Sequence, residues 1–159
     1  VFVALGINPD KEVSAKNLEA ALNSAESLAS IETAINNQAT HFNMIGLQIG
    51  YRYMSEHSTT PLEVLTDELI TTYRPSVEPG NRLPHGWLER NGETISSLDL
   101  VPLRSHIVIG GAQYVGEDCD VRLGTDFTDS NNWWSSTLQL LPHQALVVRP
   151  DQHIEQIRG

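Results

Sequence analysis

The first third of the chain carries the spacing of an amphipathic helix. Apolar residues recur at three- and four-residue steps between Leu18 and Leu28, and a neighbouring apolar stripe continues to Ile35. Glutamates lie off this apolar side, and Ser14 is a residue type that caps helix N-termini. The pattern therefore predicts one helix over residues 14–35.

A second, shorter helix is predicted over residues 39–48. Its apolar residues again fall to one side, and Gly50 is a suitable place for the helix to end. The residues that follow, 54–62, are polar and include Pro61, so we expect a loop there.

Beyond about residue 69 the pattern changes to short apolar runs separated by proline, glycine and asparagine. Residues 150–152, Pro-Asp-Gln, join the last two runs. Because proline presets the φ angle of the first turn position, these two runs predict a β-hairpin. Helices followed by strands indicate an α+β fold with a small mixed sheet. The predicted strands are 69–73, 97–101, 106–109, 145–149 and 153–157.

An acidic, polar stretch follows over residues 116–135. It reads as a surface connection whose far end is held by Trp133 and Trp134. Its carboxylates would suit a hard cation such as Ca²⁺, but they lack the spacing of a calcium loop, and a solvated loop is the simpler interpretation. These carboxylates are Glu117, Asp118, Asp120, Asp126 and Asp129.

The length, net charge and cysteine content of the chain exclude several classes of partner and of structure. The 159 residues suit about one domain, and their formal net charge of −10 repels phosphates, so neither nucleic acid nor a membrane surface is an expected partner. No apolar stretch is long enough to span a bilayer. Cys119 is the single cysteine, which excludes an internal disulfide, and we expect a cytoplasmic location. The chain starts at Val1 without an initiator methionine or a basic segment, so we expect neither a signal peptide nor a natural beginning.

The common catalytic motifs are absent from the sequence. It contains no G-x-G-x-x-G, no P-loop, no H-E-x-x-H and no G-x-S-x-G. No two of the six histidines stand two or four residues apart, so no local metal chelate is predicted; a metal site assembled in three dimensions stays an alternative. His143, Asp151 and one of Ser130, Ser135 or Ser136 have the residue types of a catalytic triad, but nothing in their spacing favours one.

The densest turn signals of the chain lie in residues 79–88. The Pro-Gly pair at the start of this segment favours a turn. Arg82 and His85 then lie on a stiff backbone, with Trp87 as an apolar anchor. A cation and an imidazole in this arrangement would bind an anion or cap a neighbouring domain. Alternatively, Arg82 pairs with one of the many carboxylates of the chain and fixes the loop.

These residues resemble a motif of a known family. Residues 79–88, read as PGxRxPHxWL, are similar to a segment of FAD-dependent aromatic-ring monooxygenases of the phenol and dichlorophenol hydroxylase type. Three further segments agree in order. Residues 41–53 resemble the family's GLQLGYRY stretch, 96–100 its S-x-LDL strand, and 148–154 its closing VRPDGHVAWR.

The resemblance implies a limited role. In such enzymes the N-terminal part binds FAD and carries the NAD(P)H-dependent hydroxylation, and the C-terminal part is a thioredoxin-like domain without redox cysteines. By this resemblance, residues 1–56 are a helical lead-in from a missing flavin-binding part and residues 57–159 are the thioredoxin-like domain. No catalytic, cofactor-binding or metal-binding position carries over. Because residues 110–144 are acidic and lack an apolar helix, we expect a shortened variant that ends in a β-hairpin.

The expected function is therefore that of an accessory, dimerising domain that is inactive alone and whose partner is the flavin-binding part of the same polypeptide. A stand-alone small-molecule or protein-binding module, with the acidic stretch facing a basic partner, is the alternative. A self-contained enzyme using histidines, carboxylates and a metal is the third hypothesis. Under the first, an Arg82–Asp99 ion pair would join the loop to a strand. The candidate structural and interface residues are Arg82, His85, Trp87, Asp99, Arg149 and Asp151.

Overall fold

The computed structural model describes residues 2–54 and 56–159, apart from the side chains of residues 39 and 40. Val1, taken above as the start, and Ser55, in the predicted 54–62 loop, lie outside the described residues. The chain falls into two compact units, Val1–Met44 and Ile45–Gly159. The domain boundary expected after residue 56 stays a prediction.

The first unit is helical, with α1 at Lys11–Leu22, α2 at Ala25–Asn36 and α3 at Ala39–Phe42. The prediction of one helix over 14–35 was wrong, because two caps divide it. The first helix ends at Asn23, whose backbone N–H donates to carbonyl oxygens of the last turn of α1. The second begins at Ser24, whose hydroxyl accepts the N–H of Ser27.

Ser14 is not the N-cap of the first helix, as had been predicted. Asp10 has that position, and its carboxylate accepts the backbone N–H groups of Glu12 at 2.9 Å and Val13 at 3.3 Å. The hydroxyl of Ser14 instead donates to the carbonyl oxygen of Asn8 at 2.7 Å. An aspartate four residues earlier is the stronger cap because its charge also faces the positive end of the helix dipole.

The second unit begins with two short helices, α4 at Ile45–Gly50 and α5 at Asp67–Thr71. The helix predicted over 39–48 is therefore two pieces, α3 and α4, and the predicted stop at Gly50 is confirmed. The strand predicted over 69–73 was wrong, because the hydroxyl of Thr66 accepts the N–H of Leu69 and caps a helix. Gly46 allows α4 to lie against α5, since a Cβ there would overlap backbone carbonyl oxygens of α5.

A two-stranded antiparallel ribbon follows, with β1 at Trp87–Arg90 and β2 at Glu93–Ser96. Its turn is Asn91-Gly92, with φ angles of +54° and +81°. Both turn residues are left-handed, which is the geometry that matches the twist of a hairpin and that Asn-Gly favours. This ribbon was missed by the sequence analysis, although the Asn-Gly signal is present in the sequence.

The strand predicted over 97–101 was also wrong. Residues Ser97–Leu100 form a 3₁₀ turn instead. Ser96 and Asp99 make a reciprocal capping box at its start, in which the carboxylate of Asp99 accepts the N–H of Ser96 at 2.8 Å. The capping box of Ser96 and Asp99 therefore favours a turn over a strand.

The main sheet has four strands in the order β4-β3-β5-β6. Strands β3 and β4 are parallel, and the pairs β3–β5 and β5–β6 are antiparallel. The strands predicted at 106–109, 145–149 and 153–157 are confirmed to within a residue or two, as is the hairpin between the last two. The four strands are β3 at Ile107–Gly110, β4 at Val121–Arg122, β5 at Ala145–Val148 and β6 at Ile154–Arg158.

This architecture confirms the predicted α+β fold with a small mixed sheet and a closing hairpin. The connections between β3 and β5 contain little helix, as expected from residues 110–144. Parallel strands are ordinarily joined by a crossover helix. Here β3 passes to the two-residue β4 through residues 111–120 without a helix, and the β4–β5 connection contains only a π-helical turn at Trp133–Thr137.

The main core lies on one face of the sheet, where Ile109, Leu146 and Val148 pack with Phe127 and the two tryptophans of the π-helical turn. Both tryptophans are buried, which confirms that they hold the far end of the acidic connection. The connection is not wholly a surface segment, since Phe127 is buried as well. Within the described ranges, no helix has the length and apolarity needed to cross a membrane.

Candidate functional site

Residues 79–83, here named the brace, join two distant segments of the second unit. The N–H of Gly80 donates to the carbonyl oxygen of Ile154 at 2.7 Å, and that of Leu83 donates to Gln152 at 2.8 Å. On the other side, the N–H of Tyr53 donates to the carbonyl oxygen of Gly80 at 3.0 Å. The predicted turn at the start of this segment is confirmed, since the N–H of Asn81 donates to the carbonyl oxygen of Glu78 at 3.0 Å. The brace is thus a turn and a short piece of backbone that is bonded on both sides.

Arg82 is tied to the closing hairpin. Its guanidinium donates to the side-chain oxygen of Gln152 at 2.7 Å. Gln152 has a φ angle of +67°, the left-handed region that favours glycine, so the hydrogen bond supports a residue whose backbone is strained. The expected Arg82–Asp99 ion pair is absent from the described part of the chain, because Arg82 has this partner and Asp99 belongs to the capping box.

Replacing Arg82 by alanine should lower the free energy of unfolding by about 1 kcal/mol, the net contribution of one partly buried hydrogen bond. Urea unfolding of the 159-residue chain measures this. Arg104→Ala is the matched control, since Arg104 is exposed, and its midpoint should stay at the wild-type value. Equal midpoints for the two variants would show that the Arg82 bond is unimportant to the fold.

His85 and Trp87 lie at the start of the ribbon. The Nδ1 atom of His85 is 2.9 Å from the hydroxyl oxygen of Ser96, and its ring meets that of Trp87 edge-on at 4.7 Å between centroids. Trp87 is 57% exposed and so is not the apolar anchor that was expected. Side chains alternate along β1, and Leu88, the next residue, points into the core.

Arg149 and Asp151 form an ion pair at 2.6 Å on the rim of the hairpin turn. Both side chains are more than two-fifths exposed, so the pair adds little stability by itself. Asp151 also positions the next residues, because its carbonyl oxygen lies 3.0 Å from Nδ1 of His153. The guanidinium of Arg149 lies 5.9 Å from the centre of the Tyr53 ring, within reach of a cation–π contact.

A ring cluster that the sequence analysis missed surrounds His153. This imidazole is 3% exposed, and its ring centroid lies 5.2 Å from Tyr51 and 4.8 Å from Tyr53. Its Nε2 atom is buried and has no hydrogen-bond partner in the described structure. The pKa of Tyr51 is raised, mainly by a hydrogen bond with Tyr53 and to a lesser extent by burial. The two tyrosines contact the imidazole, which is almost completely buried.

Arg52 and Glu78 form a second missed feature, here named the clamp. Their charged groups are 3.6 Å apart, with side chains 12% and 21% exposed. The guanidinium of Arg52 also donates to the carbonyl oxygens of Thr60 at 2.8 Å and Pro61 at 2.6 Å. One oxygen of Glu78 accepts the N–H groups of Thr59 at 2.8 Å and Thr60 at 3.1 Å. The clamp therefore fixes residues 59–61 against the brace.

The charge of Glu78 should stabilise the fold in a pH-dependent way. Burial raises the pKa of its carboxyl, but hydrogen bonds from Thr59 and Thr60 outweigh burial and leave the pKa below its ordinary value. A lowered pKa in the folded state gives stability that is present above the unfolded-state pKa and is lost as the pH falls through the folded-state pKa. Glu78→Gln should therefore lose stability near neutral pH, and its difference from wild type should shrink in acid.

Thermal unfolding between pH 7 and pH 3 measures this difference. The control is Glu93→Gln, at the exposed start of β2, which should follow the wild-type curve throughout. A Glu78→Gln difference that is constant over the whole pH range would contradict the role of the charge.

The remaining candidate groups do not converge. No group of three or more histidine, cysteine, aspartate or glutamate side chains is placed to hold a metal among the residues described. Asp151 contacts Arg149 and His153, not His143, so the triad types named above are not assembled. Among the candidate serines, the hydroxyl of Ser135 has a backbone partner, the carbonyl oxygen of Asn132 at 3.4 Å.

The acidic connection uses its carboxylates to bind the chain's own backbone. Asp120 accepts the N–H of Val108 at 2.8 Å, and Asp126 accepts that of Arg122 at 2.8 Å. Asp129 accepts the N–H groups of both tryptophans, at 2.6 and 2.7 Å. Asp118 pairs with Arg158. These carboxylates therefore order the connection through bonds to the chain itself.

An open hollow of about 450 Å³ lies beside the ribbon. Its lining combines the exposed ring of Trp87 with polar groups and one carboxylate, and the lining residues include no histidine or cysteine. The lining residues are Trp87, Leu88, Glu89, Thr94, Ser130 and Asn131.

The fold places the chain among known structures. It matches the flavin-dependent monooxygenase PieE, solved in complex with FAD and substrate, with a TM-score of 0.83 and 23% sequence identity. The match covers 99% of this chain and 32% of that chain. The chain thus has the fold of one part of a flavin-dependent monooxygenase.

Sequence comparison gives the more particular class. The chain is 25% identical over 179 aligned residues to 2,4-dichlorophenol 6-monooxygenase of Delftia acidovorans, covering 97% of the chain and 30% of the relative. It is 28% identical over 145 residues to phenol 2-monooxygenase of Pseudomonas sp. (strain EST1001), covering 79% of the chain and 24% of the relative. No family model matches the chain.

These findings confirm the resemblance stated from the motifs. The relatives are phenol and dichlorophenol monooxygenases, and the match fits a C-terminal domain of such enzymes. The chain spans 24–30% of the length of these relatives.

Proposed function

We propose that the chain is the C-terminal accessory domain of a longer FAD- and NAD(P)H-dependent aromatic hydroxylase. It packs against the flavin-binding part of the same polypeptide and contributes no catalytic residue. The observation that carries the proposal is the coverage: nearly all of this chain matches the fold of less than a third of a monooxygenase solved with FAD.

The chain's own residues do not suit the binding of FAD. A dinucleotide pyrophosphate binds where a glycine-rich turn leaves the N–H groups of a helix N-terminus free. The two longest helices begin with Asp10 and Ser24, whose side chains accept those N–H groups themselves. Asp10 would also repel a pyrophosphate. FAD in the parent enzyme is therefore assigned to the part outside this chain, together with the choice of aromatic substrate and the NAD(P)H site.

The candidate residues have structural roles in this proposal. Arg82 fixes the brace to the hairpin, and Asp99 caps the turn after the ribbon. His85, just after the brace, contacts Ser96 at the end of β2. The ion pair of Arg149 and Asp151 lies at the hairpin turn and helps to order it. Variants at these positions should change stability before they change turnover.

A homodimer is part of the proposal. Leu22, Leu28 and Ile35, on the two longest helices, are each about half exposed. Large exposed apolar side chains on neighbouring helices are typical of protein interfaces. We place such an enzyme in the cytoplasm. Sedimentation of the full-length protein measures the oligomeric state, and a monomer at micromolar concentration would remove the dimer from the proposal.

The stand-alone binding module has less support. The observation in its favour was an acidic connection that would face a basic partner. Four of these carboxylates, at residues 118, 120, 126 and 129, bond to backbone N–H groups or to Arg158. They form an internal network that leaves little free charge for a partner.

The test uses the full-length protein encoded by the gene that contains this segment. We expect a yellow protein with the flavin absorbance bands, which oxidises NADH or NADPH faster when phenols are added. A reading frame without a flavin-binding segment, or a colourless full-length protein, would overturn the proposal.

A further inference from the structure

An exposed apolar segment lies next to the clamp. Residues 59–65, here named the strap, run between the clamp and α5 without helix or strand structure. Leu62, Val64 and Leu65 are all exposed, Val64 at 85%. Within the described structure, residues 62–65 take part in no hydrogen bond. Three large apolar side chains and an unpaired backbone thus face solvent together.

The strap is nevertheless held in place. Arg52 and Glu78, both partly buried, hydrogen-bond to the backbone and side chains of residues 59–61. The other end is fixed because Thr66 caps α5. Ordering a residue's backbone costs roughly 1–2 kcal/mol, and nothing in the strap itself offsets this cost. A segment whose two ends are fixed while its apolar side chains stay exposed has fewer conformations to lose on binding, which reduces the entropy lost on association.

We infer that the strap is the docking surface for the flavin-binding part of the same polypeptide. The inference rests on the proposed function and names the contact that the proposal requires. The structural match covers 32% of a flavin-dependent monooxygenase chain. Under the proposed function, the larger part of the enzyme lies outside the residues described here and needs a contact surface on this domain. The strap combines the two features such a contact needs, apolar side chains and unpaired backbone groups.

The chemistry of the strap describes the surface that it meets. Leu62, Val64 and Leu65 require an apolar surface, and the unpaired backbone can add to the edge of a sheet. Glu63, which lies between Leu62 and Val64, and Asp67, which follows the strap, are exposed. The facing surface of the flavin-binding part therefore carries apolar side chains with lysine or arginine at the rim.

A matched pair of valine variants tests the inference. Val64 in the strap is 85% exposed and Val115 in the β3–β4 connection is 91% exposed. In the 159-residue chain, Val64→Asp and Val115→Asp should both unfold at the wild-type temperature. In the full-length flavoprotein, Val64→Asp alone should weaken the docking, with release of the flavin at a lower temperature than in wild type and Val115→Asp.

Hydrogen exchange gives a readout that does not depend on flavin chemistry. The amides of residues 62–65 should exchange at least about tenfold more slowly in the full-length protein than in the 159-residue chain, because docking pairs or covers them. Val64→Asp should remove this protection in the full-length protein, and Val115→Asp should keep it.

The outcomes separate the inference from the proposed function. A full-length protein without flavin would overturn both. A flavoprotein in which the strap amides exchange as fast as in the 159-residue chain, or in which the two valine variants behave alike, would overturn the inference and leave the proposed function. Strap protection that appears in the 159-residue chain and rises with its concentration would identify a second copy as the occupant and overturn the inference.

Discussion

Gly80→Ala should destabilise the second unit by more than about 3 kcal/mol, because it combines two costs. The φ angle of Gly80 is +96°, where a residue with a side chain is strained. A Cβ at this position would also overlap the backbone carbonyl oxygen of Tyr53. That oxygen cannot move freely, since the N–H of Tyr53 is bonded to Gly80 itself. The brace would have to separate from the Tyr53 segment.

Gly92→Ala separates the two costs. Gly92 has a similar φ angle of +81°, but a Cβ there would meet no atom within 4 Å. This variant should lose only the stability that corresponds to the strained φ angle, roughly 1–2 kcal/mol. Urea unfolding of both variants measures the difference. Equal losses at the two glycines would show that the brace tolerates a side chain and does not pack tightly against Tyr53.

Trp134→Ala should cost about 3–5 kcal/mol, the usual loss for removing a large buried aromatic side chain. Trp134 is 3% exposed, packs in the main core, and donates from Nε1 to the carbonyl oxygen of Leu141 at 3.2 Å. The π-helical turn is one of the anchors between β4 and β5, together with the buried Phe127. Its loss should therefore unfold the connection as well.

Trp87→Ala is the matched control for this prediction. The side chain of Trp87 is more than half exposed, so its removal should cost less than about 1 kcal/mol. Thermal unfolding followed by tryptophan fluorescence and circular dichroism measures both variants. A larger loss at Trp87 than at Trp134 would contradict the placement of the two tryptophans.

The elements predicted from the sequence are those whose signals are local. The closing hairpin is confirmed because Pro150 and the apolar runs on either side specify it within one short stretch. The ribbon had an equally local signal, Asn91-Gly92, but its two four-residue strands are largely polar and lack the apolar runs that indicated the other strands. The 3₁₀ turn after the ribbon was mistaken for a strand because its apolar residues outweighed the capping box formed by Ser96 and Asp99.

The candidate site depended on contacts between distant segments. Sequence spacing identified Arg82 as a fixing residue but assigned it the wrong partner, since Gln152 lies in the closing hairpin. The clamp and the cover over His153 could not be predicted from periodicity. The contacts of Arg52 with Glu78 and of Tyr51 with His153 depend on the pairing of the brace with the segments on both of its sides. Such pairings are set by tertiary packing.

The most direct test of the central claim, that this chain supports an active site located elsewhere, is a titration of the purified 159-residue chain with FAD. The change in flavin fluorescence reports binding, and NADH and NADPH oxidation with phenol present reports turnover. The account predicts no saturable binding and no phenol-dependent oxidation. Stoichiometric binding of FAD together with phenol-dependent oxidation by this chain alone would contradict it.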